Sequence, residues 1–183
     1  MEQIKWPFLK QTWGIEFESS KGAYLYTKDG RKILDAAGGA IVNNIGYGRE
    51  EVAEAISKAV INNSYILPPF LTPEREALLD ELRNHWLPPH LTRIHLSSGG
   101  SEANESAVKL AIQYQASRGK PEKNIILTRS LSYHGTTLNM SGISGHQARK
   151  RGLESYVPSP TTIETPYPLR CPLGSFHPDS KDY

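Results

Sequence analysis

Cysteine is almost missing from this chain: Cys171 is the single one in 183 residues. No disulfide can close within the chain, which fits a reducing compartment. No run approaches the roughly 18 consecutive apolar residues of a membrane-spanning helix, so no membrane partner is expected. The start, Met1 to Pro7, has no apolar core of a secretory signal, and a cytoplasmic setting is expected. Charge of one sign is also lacking. Lys and Arg number 21 against 19 Asp and Glu, a net +2. Arg149-Lys150-Arg151 is the one basic triplet and reads as a solvated helix end. A nucleic-acid surface needs a basic face, so that partner is not expected. The scattered aromatics offer no base-stacking platform. His85, His90 and His95 do not fall on one helical face, and prolines interrupt them, so no metal site is expected. Cys171 has only Arg170 as a cationic neighbour in sequence and reads as an inert loop thiol.

What is present is the patterning of a globular α/β chain. Ala23 to Thr27 and Arg31 to Asp35 flank Lys28-Asp29-Gly30, an Asp-Gly hairpin signal in which Gly30 takes positive φ. The stretch Gly38 to Gly48 carries too many glycines and asparagines for a regular element. Glu50 to Ile61 reads as a helix, because Val52, Ala55, Ile56, Ala59 and Val60 make one apolar face. Thr72-Pro73 opens another, with Thr72 as N-cap and Pro73 at the first helical position. Arg93 to Ser97 is a strand candidate, followed by the turn Ser98 to Ser101 and a helix from Glu102 to Ser117. In that helix Glu105 and Lys109 are placed to pair at i, i+4. Asn124 to Thr128 is a second strand candidate, and a further helix begins near Thr136. Strand, helix, strand, helix is the grammar of a right-handed α/β sheet. From Val157 onward, prolines at 158, 160, 166, 168, 172 and 178 leave a loop. No internal repeat is visible.

Ser97 to Ser101 lies beyond the carboxyl end of a strand candidate and opens a helix, the place where open α/β sheets bind ligands. The free N–H groups and positive dipole end of that helix suit an anion. Gly99 and Gly100 allow close backbone approach, and the Ser101 hydroxyl can donate a further hydrogen bond. A phosphate monoester fits such a site. The motif is neither a P-loop nor a dinucleotide fingerprint. Taken alone, it reads more readily as a glycine turn with a helix cap.

The string Ser98-Gly99-Gly100-Ser101-Glu102-Ala103-Asn104-Glu105-Ser106-Ala107-Val108-Lys109-Leu110-Ala111 resembles the phosphate-binding segment of class III aminotransferases. Ser132-Tyr133-His134-Gly135 resembles their aromatic-His-Gly segment. Gly22 to Leu25, Asp29-Gly30, Leu34-Asp35 and Asn44 to Gly48 resemble their N-terminal hairpin and following loop. The resemblance covers Ser20 to Ser144.

It implies an α/β fold: part of a three-layer α/β large domain of the pyridoxal-phosphate transferases, with part of a small N-terminal α+β domain. Residues 1–60 would belong to the small domain, 61–156 would begin the large domain, and 157–183 would be a proline-rich loop. The implied cofactor is pyridoxal 5'-phosphate, with Gly100 and Ser101 on its phosphate, Tyr133 against its ring and His134 beside it. Ile41 stands where amine-specific members carry a large aromatic near the substrate, which leaves amino acids and aliphatic amines open as donors. Glu102 and Glu105 read as carboxylates at the helix start. The implied reaction moves an amino group from an amine or amino acid to an oxo acid, in a homodimer. The family's Schiff-base lysine and the carboxylate on the pyridine nitrogen come later than Tyr183, so no catalytic residue is assigned here and the chain reads as a fragment. The alternative is a non-catalytic truncated paralogue that binds an anion or a partner subunit.

Overall fold

The computed structural model describes residues 14–167 and 169. The readings placed on Met1 to Pro7, on Arg170 and on Cys171 lie outside them. Contacts divide the chain between His90 and Leu91 into two compact units, each of which stands by itself below.

The first unit opens with a three-stranded antiparallel sheet in the order β1 (Phe17–Lys21), β2 (Tyr24–Thr27), β3 (Lys32–Leu34). The Asp-Gly hairpin forms as expected, with Tyr24 opposite Leu34 and Leu25 opposite Ile33. Gly30 has φ 86°. Thr27 is buried at the turn, where Asp29 accepts from its hydroxyl and from Arg31. Strand β1 was not legible, because Phe17-Glu18-Ser19-Ser20-Lys21 has no clean alternation and its ladder slips between Phe17 and Ser19.

Within the glycine-rich stretch, Gly38–Ile41 is a single left-handed turn, α1, where irregular backbone was expected. Its four φ values run from 54° to 69°. Ala40 and Ile41 hold a conformation that costs an L-residue about 1–2 kcal/mol each. The Asp35 carboxylate offsets part of that cost, accepting from the amides of Ala37 at 3.0 Å and Gly39 at 3.1 Å and from the Tyr47 hydroxyl at 2.6 Å. Helix α2 spans Glu50–Asn62, and α3 spans Pro73–Glu81 with the Thr72 side chain accepting from Arg75 N. A π-helical turn, Leu82–Trp86, follows α3 before the prolines stop it.

The second unit holds α4 (Gly100–Ser117), β4 (Leu127–Arg129), α5 (Leu138–Ile143), α6 (Gln147–Lys150) and β5 (Thr161–Ile163). Strands β4 and β5 pair in parallel, Leu127 opposite Thr161 and Arg129 opposite Ile163. The crossover between them carries α5 and α6, so the strand–helix–strand unit is not the run of Arg93 to Ser97, Glu102 to Ser117 and Asn124 to Thr128 that the sequence suggested. Two placements differ from the sequence reading. Arg93 to Ser97 is not a strand, because no described strand pairs with it and an extended segment becomes a strand only through a partner. The pairing partner of β4 is instead Thr161–Ile163, inside the stretch read as a proline-rich loop. Pro158 and Pro160 precede that strand and leave its three residues free to donate.

The core of this unit is the segment from Met140 to Gly145. Met140 is fully buried, and Ile143 and Ser144 are nearly so. Glycine is required twice in it. A Cβ on Gly142 would stand 2.5 Å from Pro158 Cδ, and one on Gly145 would stand 2.3 Å from the Ser130 carbonyl oxygen. Among the described residues no helix is long and apolar enough to cross a membrane.

Candidate functional site

The turn after β4 and the start of α4 meet through hydrogen bonds from one face of α4. Ser101, Asn104 and Glu105, at i, i+3 and i+4, share that face. Ser101 Oγ accepts from Thr136 N at 3.0 Å. Asn104 Nδ2 donates to the His134 carbonyl at 2.7 Å. The Glu105 carboxylate accepts from Thr137 Oγ1 at 2.6 Å and from Asn139 Nδ2 at 3.1 Å. Thr137 is also the N-cap of α5. The segment from His134 to Asn139 is therefore laid along α4 residue by residue. Gly135 makes the approach possible: its φ is 142°, and a Cβ there would lie 2.5 Å from Ser101 Oγ.

His134 is held from three sides. Its amide donates to Ser144 Oγ at 2.9 Å, its carbonyl takes Asn104, and its Nε2 lies 3.1 Å from Thr128 Oγ1. Thr128 is buried and lies 3.0 Å from Ser132 Oγ. Ser144 in turn donates to the Met140 carbonyl at 2.6 Å. Removing the Ser144 hydroxyl would strand the His134 amide at a cost of about 1–3 kcal/mol.

At the helix start, Gly99 is the N-cap and has no side chain to cap with. The Glu102 carboxylate reaches back to Ser98 N at 2.9 Å, a variant of the capping box. The amides of Gly100, Ser101 and Glu102 have no acceptor among the described residues. A Cβ built on Gly99 or Gly100 meets nothing within 4 Å. Among the described residues, packing therefore does not demand glycine at either position, and the backbone there faces open space. The Ser101 hydroxyl, already accepting from Thr136, keeps its proton free to donate the same way.

Tyr133 is half exposed, its ring edge-on to His146 with centroids 6.4 Å apart and beneath the Arg149 guanidinium at 4.9 Å. Of the residues singled out from the sequence, Gly100, Ser101, Tyr133 and His134 lie on this helix start and the turn laid against it. Ile41 belongs to the first unit. There it is strongly exposed at the rim of a cavity of about 470 Å³ that Asp35, Asn44 and Tyr47 also line.

Two readings change. Glu105 does not pair with Lys109; Thr137 and Asn139 take its carboxylate instead, because they present donors on the face turned toward the protein. Two members of the basic triplet are not simply solvated: Arg149 covers Tyr133, and Lys150 Nζ donates to the Gly142 carbonyl at 2.6 Å. Sequence reasoning missed Asn104, Thr128, Thr137 and Ser144. The i, i+3, i+4 spacing from Ser101 was a usable signal for the first. The others join the site only through the fold.

The model of the family described as aminotransferase class-III matches residues 10–179. A probable aminotransferase of Mycobacterium tuberculosis is 35% identical over 163 residues, covering 88% of this chain and 34% of that protein. A hypotaurine/taurine–pyruvate aminotransferase of Paracoccus denitrificans is 36% identical over 134 residues, covering 73% of this chain and 29% of that protein. The chain thus spans about a third of the length of these relatives. Among solved structures, an amine transaminase of an uncultivated Pseudomonas species in its PLP-bound form superposes with a TM-score of 0.86 at 24% identity, covering 97% of this chain and 42% of that one. That likeness gives the fold, and it agrees with the α/β architecture expected from the sequence.

Proposed function

The chain belongs to the class III aminotransferases, and from that premise we propose that it supplies the cofactor-binding half of a site that moves an amino group from an amine or amino acid to an oxo acid. The observation that carries this reading is the start of α4. Three amides without acceptors, a hydroxyl with a free proton and two glycines facing open space together fit the phosphate of pyridoxal 5'-phosphate. When bound, that cofactor supplies the electron sink for amino-group transfer.

Each residue of the chain then has a task. Gly100 and Ser101 bind the phosphate through backbone N–H groups, and the Ser101 hydroxyl adds a charge-assisted bond. Tyr133 covers one ring face and excludes water from it. His134, fixed by Ser144, Asn104 and Thr128, holds that turn at its distance from α4. Gly135 lets the turn approach. Asn104 and Glu105 position the turn and touch no substrate. The lysine and the carboxylate that complete the chemistry belong to the part of the family's length that this chain does not span. Residues 1–60 would sit in the small domain and 61–156 would open the large one, with 157–183 leading onward. A homodimer in the cytoplasm is part of the same proposal.

The donor is narrowed only at Ile41. An aliphatic side chain there, where amine-specific members of the family carry a large aromatic, leaves amino acids and aliphatic amines open as donors, with an oxo acid as acceptor. The taurine-related name of one relative is compatible with such donors.

Titrating the full-length apo-enzyme with pyridoxal phosphate tests the phosphate site. Ser101→Ala should weaken binding by about 1–3 kcal/mol, the scale of a hydrogen bond to a charged group. Ser101→Thr, which keeps the hydroxyl, should stay near wild type. Unchanged affinity in Ser101→Ala would reduce Ser101 to a link to Thr136.

A further inference from the structure

The basic triplet that composition marks as a solvated helix end is engaged in the structure, and the residues around it converge on one ring. Lys150 Nζ donates to the Gly142 carbonyl at 2.6 Å. That carbonyl belongs to a buried glycine packed against Pro158, so the anchor point lies in the close-packed core of this unit. The anchored turn, α6, starts after His146, whose carbonyl accepts from Arg149 N at 3.0 Å. His146 and Arg149 both reach Tyr133: the imidazole meets the ring edge-on at 64° between planes, and the guanidinium sits 4.9 Å from its centroid. Arg151, next in sequence, joins no ion pair or cation–π contact among the described residues.

A half-exposed tyrosine on a turn rotates freely about χ1 and χ2 unless something holds it. A guanidinium over the ring holds it by electrostatic attraction to the π face, and a second aromatic at its edge limits the remaining rotation. We infer that Arg149 is a positioning residue that sets the orientation of the Tyr133 ring, with Lys150 as the anchor of the turn that carries it. The inference rests on the reading that Tyr133 lies against the cofactor ring. It adds that the ring's attitude is set by the guanidinium stacked on it. Arginine suits this role better than lysine, because its flat, weakly hydrated guanidinium stacks on the ring where an ammonium touches it at a point.

The test uses the full-length enzyme labelled with 3-fluorotyrosine, the Tyr133 line assigned by its loss in Tyr133→Phe. In the apo-enzyme, Arg149→Met and Lys150→Met should both shift and broaden the Tyr133 ¹⁹F line, while Arg151→Met leaves it in place. After loading with pyridoxal phosphate, Arg149→Met should reduce the visible circular dichroism of the bound cofactor and weaken its affinity by about threefold, the scale of one exposed cation–π contact. Arg149→Lys should recover part of the dichroism. A Tyr133 line that does not move in Arg149→Met, or that moves as much in Arg151→Met, overturns the inference. Tyr133→Leu separates it from the reading beneath. If Tyr133→Leu alters dichroism and affinity and Arg149→Met does not, the positioning role alone is wrong. If Tyr133→Leu leaves both at wild type, Tyr133 does not meet the cofactor and both statements fall.

Discussion

At the residue scale, the site depends on side chains that are absent as much as on those present. Gly135 has φ 142°, and an added Cβ would stand 2.5 Å from Ser101 Oγ and 2.9 Å from Ser101 Cα. Backbone strain and overpacking then act together. Gly135→Ala should cost about 2–4 kcal/mol, read as a lowered denaturant midpoint, and should weaken cofactor binding with it; a variant of wild-type stability would mean the turn does not lie against α4. In the first unit, Asp35 and Tyr47 make a pH-dependent contact. The hydrogen bond from the Tyr47 hydroxyl, helped by the amides of Ala37 and Gly39, holds the Asp35 carboxyl below the ordinary carboxylate value. A depressed carboxylate contributes stability that is present above its unfolded pKa of about 3.9 and lost as pH falls through the folded value. Tyr47 is pushed above the ordinary phenol value, chiefly by the same bond and also by burial. Its contribution is present below about pH 10 and lost as pH rises through the folded value. Tyr47→Phe should therefore remove stability at neutral pH and flatten both limbs of the melting temperature against pH. A variant that keeps the wild-type limbs would show that the bond does not form. Asp29 is held to about 2, first by Arg31 and then by Thr27, and adds to the acid limb with the same sign. The sequence singled out Ser101 as a candidate phosphate ligand. It did not show that Ser101 also accepts from Thr136, because that partner lies 35 positions away.

At the element scale, α4 is the frame. Its residues Ser101, Asn104 and Glu105 turn one face toward the segment from His134 to Asn139, and Glu105 ties that face to the N-cap of α5. A double-mutant cycle between Glu105→Gln and Thr137→Val, followed by denaturation, should give a coupling of about 1–2 kcal/mol. A coupling near zero would mean that the two helices are held by something else. Helices were legible because their signals are local. The cap of Thr72, the proline after it and the apolar spacing in Glu50 to Ile61 do not depend on distant residues. Strands were less so. Asn124 to Thr128 reads as a strand from its isoleucines, yet only Leu127–Arg129 pairs, because the ladder extends only as far as Thr161–Ile163 does. The three residues of β5 carry no alternation among their prolines, so nothing local marked them.

At the scale of the whole molecule, the amphipathic pattern exceeds what the chain itself covers. No residue of α2, α3 or α4 is buried, and Ile56, Val60, Leu78 and Leu110 are all about half exposed or more. Faces patterned for burial that stay exposed among the described residues agree with a polypeptide spanning about a third of its relatives' length. The 183-residue chain by itself should bind hydrophobic dyes and self-associate on size exclusion with light scattering; a monodisperse, dye-silent monomer would mean that these faces cover one another in solution. The family was legible from three short motif groups because they stand in the family's order along the chain. The division between His90 and Leu91 was not, because it depends on contacts rather than composition. The most direct test of the central claim is a crystal structure of the full-length enzyme with pyridoxal phosphate. The phosphate is expected within hydrogen-bond distance of the Gly100 and Ser101 amides and the Ser101 hydroxyl, with the Tyr133 ring against the cofactor. A phosphate seated elsewhere, with the start of α4 facing only solvent, would contradict it.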